Sequence, residues 1–117
     1  MKLKSMPSLR AKKRYVVFKL HTEDELSYAN VRNAVYGSLE EWLGQKEMAV
    51  ADVRLIQNLW NPKSHTGFIR CGHQHADAVS MGLALVHQIG DSKVAFQTVG
   101  VAGTIKSGKR KLEHARY

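Results

Sequence analysis

The chain has 117 residues, enough for one hydrophobic core and too few for two. It carries 18 Lys and Arg against 10 Asp and Glu, a formal net charge of +8, and its single cysteine, Cys71, excludes an intrachain disulfide framework. No apolar run is long enough to cross a bilayer and no apolar segment follows Lys2 and Lys4 to make a secretory leader, so a reducing, cytoplasmic setting is expected.

Met1 to Leu9 has Pro7, two serines and little periodicity, and reads as an arm. Arg10-Ala11-Lys12-Lys13-Arg14 then runs directly into an apolar, β-branched stretch, so Tyr15 to His21 is predicted as the first strand. The acidic Thr22-Glu23-Asp24-Glu25 turn follows, with Asp24 or Ser27 as candidate N-cap. Tyr28, Val31, Val35, Leu39 and Trp42 recur at helical spacing, and Gly44 stands where a glycine ends a helix. Val50 to Trp60 alternates as a second strand, and Asn61-Pro62-Lys63-Ser64-His65 is turn chemistry leading into a third, Thr66 to Cys71. His73-Gln74-His75 leads into a second helix with Val79, Leu83, Val86 and Ile89 inward, closed by Gly90-Asp91-Ser92. Lys93 to Val99 is the fourth strand. Gly100 to Ile105 loosens the chain, and Lys106 to Lys111 is a second basic cluster. The whole chain, 1–117, is read as a single domain: a basic arm (1–13), a core (14–100) and a basic tail (101–117).

The order strand, helix, strand, strand, helix, strand gives an α+β fold. With right-handed crossovers it is the ferredoxin-like or RRM-like βαββαβ sandwich, a four-stranded antiparallel sheet with both helices on one face and a basic C-terminal extension. The strand order is fourth, first, third, second. Antiparallel pairing of the first and fourth strands then brings Arg14 to the end of the fourth strand. The two basic clusters should therefore meet at one end of the sheet.

The charge distribution says what such a surface is for. Residues 1–19 hold seven cations and residues 106–117 hold five with only Glu113 against them, leaving six cations and nine anions between. Segregated basicity suits a polyanionic partner. Phe18 and Phe68 are conceivable base-stacking residues on such a sheet, although the repeated aromatics of an RNA-recognition motif are missing and core packing is the better reading. Cys71, His73 and His75 alternate and suggest an alternative, a stand-alone metal-dependent enzyme; a protein-interaction module with incidental basic tails is the other. The carboxylates form no apparatus for phosphodiester chemistry, so no catalytic residue is assigned, and no metal ligand. Trp60, beside the turn, is the better interface candidate of the two tryptophans.

Three segments carry a family resemblance: Pro7 to Tyr15 before a hydrophobic strand; Gly67-Phe68-Ile69-Arg70-Cys71 with Ala84-Leu85 behind it; and Gly100-Val101-Ala102-Gly103-Thr104-Ile105-Lys106 followed by basic residues. In that order they resemble the archaeal ribonuclease P protein component 2 family, related to the small eukaryotic Pop-type subunits. The resemblance implies a non-catalytic protein subunit of the ribonucleoprotein that removes the 5′ leader from precursor tRNA. It implies that the RNA subunit holds the magnesium ions, with no cofactor in the protein. It also implies partnership with ribonuclease P RNA, precursor tRNA, the TIM-barrel ribonuclease P protein component 3 and other ribonuclease P proteins, and with no membrane. By matching position, Arg10, Lys12, Lys13, Arg14, Lys106, Lys109, Arg110 and Lys111 are the expected RNA-facing residues. Gly108 interrupts what would otherwise be a basic helix.

Overall fold

The computed structural model describes residues 12–114. Nine elements follow one another: β1 (Lys13–His21), α1 (Tyr28–Ala51), β2 (Arg54–Leu55), β3 (Thr66–Gly72), α2 (Ala76–Ala84), β4 (Gln88–Ile89), β5 (Ser92–Lys93), β6 (Ala95–Ala102) and α3 (Ile105–His114). The sheet order is β2-β3-β1-β6, all antiparallel, which is the predicted order with β6 as the fourth strand.

Alternation along β1 sorts the core into two layers. Val16, Phe18 and Leu20 pack with Val31, Val35 and Leu39 of α1 and Val79 and Leu83 of α2. Val17 points the other way and joins Phe68 and Ala102 in a second cluster, against which Tyr15, Val99 and Leu112 of α3 pack. The expected pair of helices covers one face, as the fold class requires. The second face is not left open, because α3 lies on it.

Local chemistry moved several boundaries. Ser27, not Asp24, caps α1, its hydroxyl accepting from the Asn30 N–H at 3.2 Å. Gly44 does break the helix, with φ 86 and ψ 158, a conformation closed to residues with a Cβ. However, the chain re-enters helix beyond it and runs to Ala51. The expected strand from Val50 to Trp60 is therefore corrected: Val50 and Ala51 are helical, only Arg54–Leu55 pairs with β3, and Gln57–Leu59 is a 3₁₀ turn. An alternating stretch this close to a helix end has no ladder partner until β3 comes within reach. The second helix is shorter than expected. It stops at Ala84, and Val86 reaches the core from the turn that follows it and Ile89 from the small β4–β5 hairpin. The last strand extends through Gly100 to Ala102, with a bulge where the β1 partners step from Gly100 to Thr98, placing Val99 on the α3 side.

Phe18 and Phe68 are not a stacking pair. They belong to opposite faces, Phe18 against Trp60 and Phe96 in the main core and Phe68 beneath α3, and both are buried. Trp60 is likewise packed, its ring 6.2 Å from that of Phe18, whereas Trp42 is 44% exposed. Of the two tryptophans, Trp42 is thus the one that leaves a large apolar surface exposed. A turn-flanking tryptophan is drawn inward here because Phe18 offers it a face to cover.

Candidate nucleic-acid interface

The cations lie where β1 begins, where β6 ends, and along α3. Antiparallel register sets Tyr15 opposite Ala102 and Lys13 opposite Gly72, so the first residues of β1 lie beside the last of both β6 and β3. Thr104 then caps α3, its hydroxyl accepting from the Ser107 N–H at 3.1 Å. The helix turns back over the sheet with Gly108 buried and Leu112 half-buried on its inner side. Ten residues at the α-helical rise span about 15 Å.

The predicted site residues distribute accordingly. Arg10 lies outside the described residues. Lys12 is exposed, and its carbonyl accepts from the His73 N–H at 2.7 Å, tying the strand start to the segment after β3. Lys13 is half-buried and donates to Asp52 at 2.9 Å, and Arg14 donates to the Lys13 carbonyl at 2.9 Å. Lys106 stands in the first turn of α3, towards the start of β1. Lys109, Arg110 and Lys111 are exposed and are carried away from that end. The Lys111 stem lies over Gly100, opposite Val17 in the middle of β1. Lys106 thus lies towards the end of the sheet where β1 starts, Lys109, Arg110 and Lys111 follow along α3, and Arg14, opposite the core residue Cys71, alternates to the other face of the sheet from Tyr15. A helix spreads its side chains at 1.5 Å per residue where a tail could have gathered them.

Gly108 explains itself in this position. A Cβ there would collide with the Phe68 ring and come within 3.1 Å of Val17 Cγ2. Glycine inside a helix costs about 1 kcal/mol relative to alanine, and here it lets the backbone sit directly on the sheet. The interruption expected of Gly108 is corrected: the helix runs through it.

Three residues that sequence reasoning did not select complete this end of the sheet. Asp52 follows α1 in a left-handed conformation (φ 52) and receives both Lys13 Nζ at 2.9 Å and Arg54 Nε at 3.3 Å. These hydrogen bonds, first from Lys13 and then from Arg54, hold its carboxyl below the ordinary value. Arg54 is directly opposite Arg70, and Arg70 directly opposite Tyr15. The hairpin expectation combined with strand alternation was the signal available for the arginine pair.

Cys71, His73 and His75 do not assemble a metal centre. Cys71 is fully buried in the main core, where desolvation pushes its thiol up to about 11, while His73 is exposed and His75 lies 3.6 Å from Glu47. Among the described residues no group of three or more His, Cys, Asp or Glu is placed to hold a metal ion. The alternation that suggested the centre ends at Gly72, where the strand gives way to a 3₁₀ turn.

Comparison with known proteins agrees with this architecture. The family model described as Rpp14/Pop5 matches residues 14–113. The chain is 36% identical over 106 residues to ribonuclease P protein component 2 of Pyrococcus furiosus, covering 91% of this chain and 87% of that relative. It is 37% identical over 106 residues to the protein of the same name from Thermococcus gammatolerans, with the same shares covered. A chain in the cryo-EM structure of yeast ribonuclease MRP superposes with a TM-score of 0.60 at 10% identity, over 90% of this chain and 88% of that one, a likeness of fold. With the family model spanning β1 to α3, the chain belongs to the Rpp14/Pop5 family.

Proposed function

We propose that the chain is a protein subunit of ribonuclease P that binds and supports the catalytic RNA during removal of the 5′ leader from precursor tRNA. Its relatives along nearly the whole chain are ribonuclease P protein components, which supports the subunit role. The observation that carries the RNA-binding part is the basic ridge. Lys106, Lys109, Arg110 and Lys111 are all exposed on a helix whose inner side is fixed to the sheet, on the face that Tyr15 and Val17 of β1 share.

The mechanism is electrostatic. Cations held at fixed spacing displace counterions from the RNA backbone, lowering the free-energy cost of packing phosphates together. RNA folding, substrate docking and magnesium binding by the RNA then become easier, while the bond-breaking stays with the RNA. α3 covers the central part of the sheet face on which RNA-recognition motifs stack bases, so phosphate contacts take precedence over base readout.

Other ribonuclease P proteins belong to the same assembly, the TIM-barrel component 3 among them. Trp42, Met81 and Leu85 are 44%, 57% and 55% exposed on the helical layer, and supply the apolar surface that such a partner needs. That layer is on the opposite side of the sheet from α3, so protein and RNA need not compete.

Reconstitution tests the whole reading. The chain is combined with a ribonuclease P RNA and component 3, and 5′-leader cleavage is scored at limiting magnesium. Stimulation that depends on this chain is the expected result; equal cleavage with and without it would defeat the proposal.

A further inference from the structure

The end of the sheet where β1 starts holds more positive charge than its own carboxylate balances. Arg54, Arg70 and Tyr15 stand in one row across β2, β3 and β1, at directly paired positions. All three are on the α3 side, since their neighbours Leu55, Ile69 and Val16 are in the opposite core. Directly opposed side chains have their Cβ atoms about 5 Å apart, and like charges there are destabilising. Asp52 neutralises part of the charge, but its two oxygens are taken by Lys13 and Arg54. Arg70 forms no ion pair or side-chain hydrogen bond among the described residues, and its Nε is buried without an acceptor. Residues 1–11, which precede this strand, contain no Asp or Glu.

A buried guanidinium N–H without an acceptor is costly, the more so because the group is charged. The same group becomes an asset when an anion completes it, because a guanidinium fork matches phosphate in shape and charge. Tyr15 adds an amphipathic wall on the other side of Arg70, edge-on to Phe68 with ring centroids 6.3 Å apart.

We propose that Arg70, flanked by Arg54 and Lys13 and walled by Tyr15, is the seat for one backbone phosphate of the bound RNA, with Asp52 as the internal counter-ion that this phosphate displaces. The inference rests on the RNA-binding reading above and gives it a fixed register point. The ridge on α3 supplies general attraction, whereas Arg70 binds one phosphate in one orientation. Lys13 and Arg54 are then shared between Asp52 and the phosphate, and the charge on Arg70, unmatched in the free protein, is balanced when the phosphate binds.

Two substitutions of opposite expected sign test it. Arg70→Gln removes the fork, and RNA affinity should fall roughly tenfold, as expected when one charge-assisted contact is lost. The slope of log affinity against log salt should become shallower by about 1. Asp52→Asn removes the competing carboxylate, and RNA affinity should rise several-fold; Asn also tolerates the left-handed backbone there. Inorganic phosphate should raise the melting temperature of the wild-type protein and not of Arg70→Gln, separating the phosphate itself from the rest of the RNA. Wild-type RNA affinity and salt slope in a folded Arg70→Gln protein would overturn the seat. If Arg70→Gln does not fold, absence of any gain in Asp52→Asn overturns it instead. The ridge variant Lys109→Glu/Lys111→Glu separates the two readings. If it weakens binding while Arg70→Gln does not, the seat alone is wrong. If neither weakens binding, the RNA reading falls with it.

Discussion

Gly108 of α3 rests directly on the ring of Phe68 of β3, with no room for a side chain between them. This contact fixes the basic helix to the sheet and converts a charged segment into a shaped surface. It also links two residues 40 positions apart whose individual meanings are opposite, a helix-breaking glycine and a sheet aromatic.

The first prediction follows from that contact. Gly108→Val should destabilise the protein by about 1–3 kcal/mol, the usual cost of overpacking, despite valine's better helix propensity. Shrinking the partner by Phe68→Leu in the same chain should recover part of the loss, so the two changes should be non-additive in thermal or chemical denaturation. Simple additivity would mean that α3 does not sit on Phe68.

Reversing Lys109 and Lys111 to Glu should leave stability within about 0.5 kcal/mol, as expected for exposed positions. RNA affinity should nevertheless fall steeply, with a salt slope shallower by roughly 1 for each phosphate contact removed. Filter binding across a salt series reads both quantities. An unchanged slope would remove the ridge from the interface.

Asp52 gives a pH dependence of definite sign. Its carboxyl is held below the ordinary 3.8 by Lys13 and Arg54, so the folded state binds its proton less readily than the unfolded state. The resulting stability is fully present above the ordinary value and is lost as pH falls through the depressed one. The side chain is 40% exposed, so the effect is small and screened by salt. Melting curves of wild type and Asp52→Asn should therefore differ at neutral pH and converge only as pH falls from 3.8 through the depressed value.

Cys71 should be inert in the folded protein. Its thiol is fully buried and pushed up from 9.0 to about 11, so thiolate is scarce at pH 8 and access is blocked. Thiol reagents should label it only at the rate of opening, and rapidly once denaturant is added. Because the folded pKa is the higher one, the stability linked to this thiol is present below about pH 9 and lost as pH rises towards 11. Fast labelling under native conditions would contradict this placement.

By itself the sequence determined the sheet order, the faces of β1 and the main helices, and the segregation of charge to the two ends. These are periodic or compositional properties that survive any error in element length. Val31, Val35, Leu39 and Val16, Phe18, Leu20 are legible because each lies at the repeat of its own element. The tertiary structure alone decided the rest. Val50 alternates like a strand residue and is helical, because α1 re-forms beyond Gly44 and local alternation cannot report that. Gly108 read as a helix breaker because its reason for being glycine, the Phe68 ring, is supplied from another element. Arg70 is, by local sequence, one more cation in a strand. Its unmet N–H and its position between Arg54 and Tyr15 arise only when β2 and β1 pair on either side of it, since the cost of a buried donor depends on neighbours that are distant in sequence.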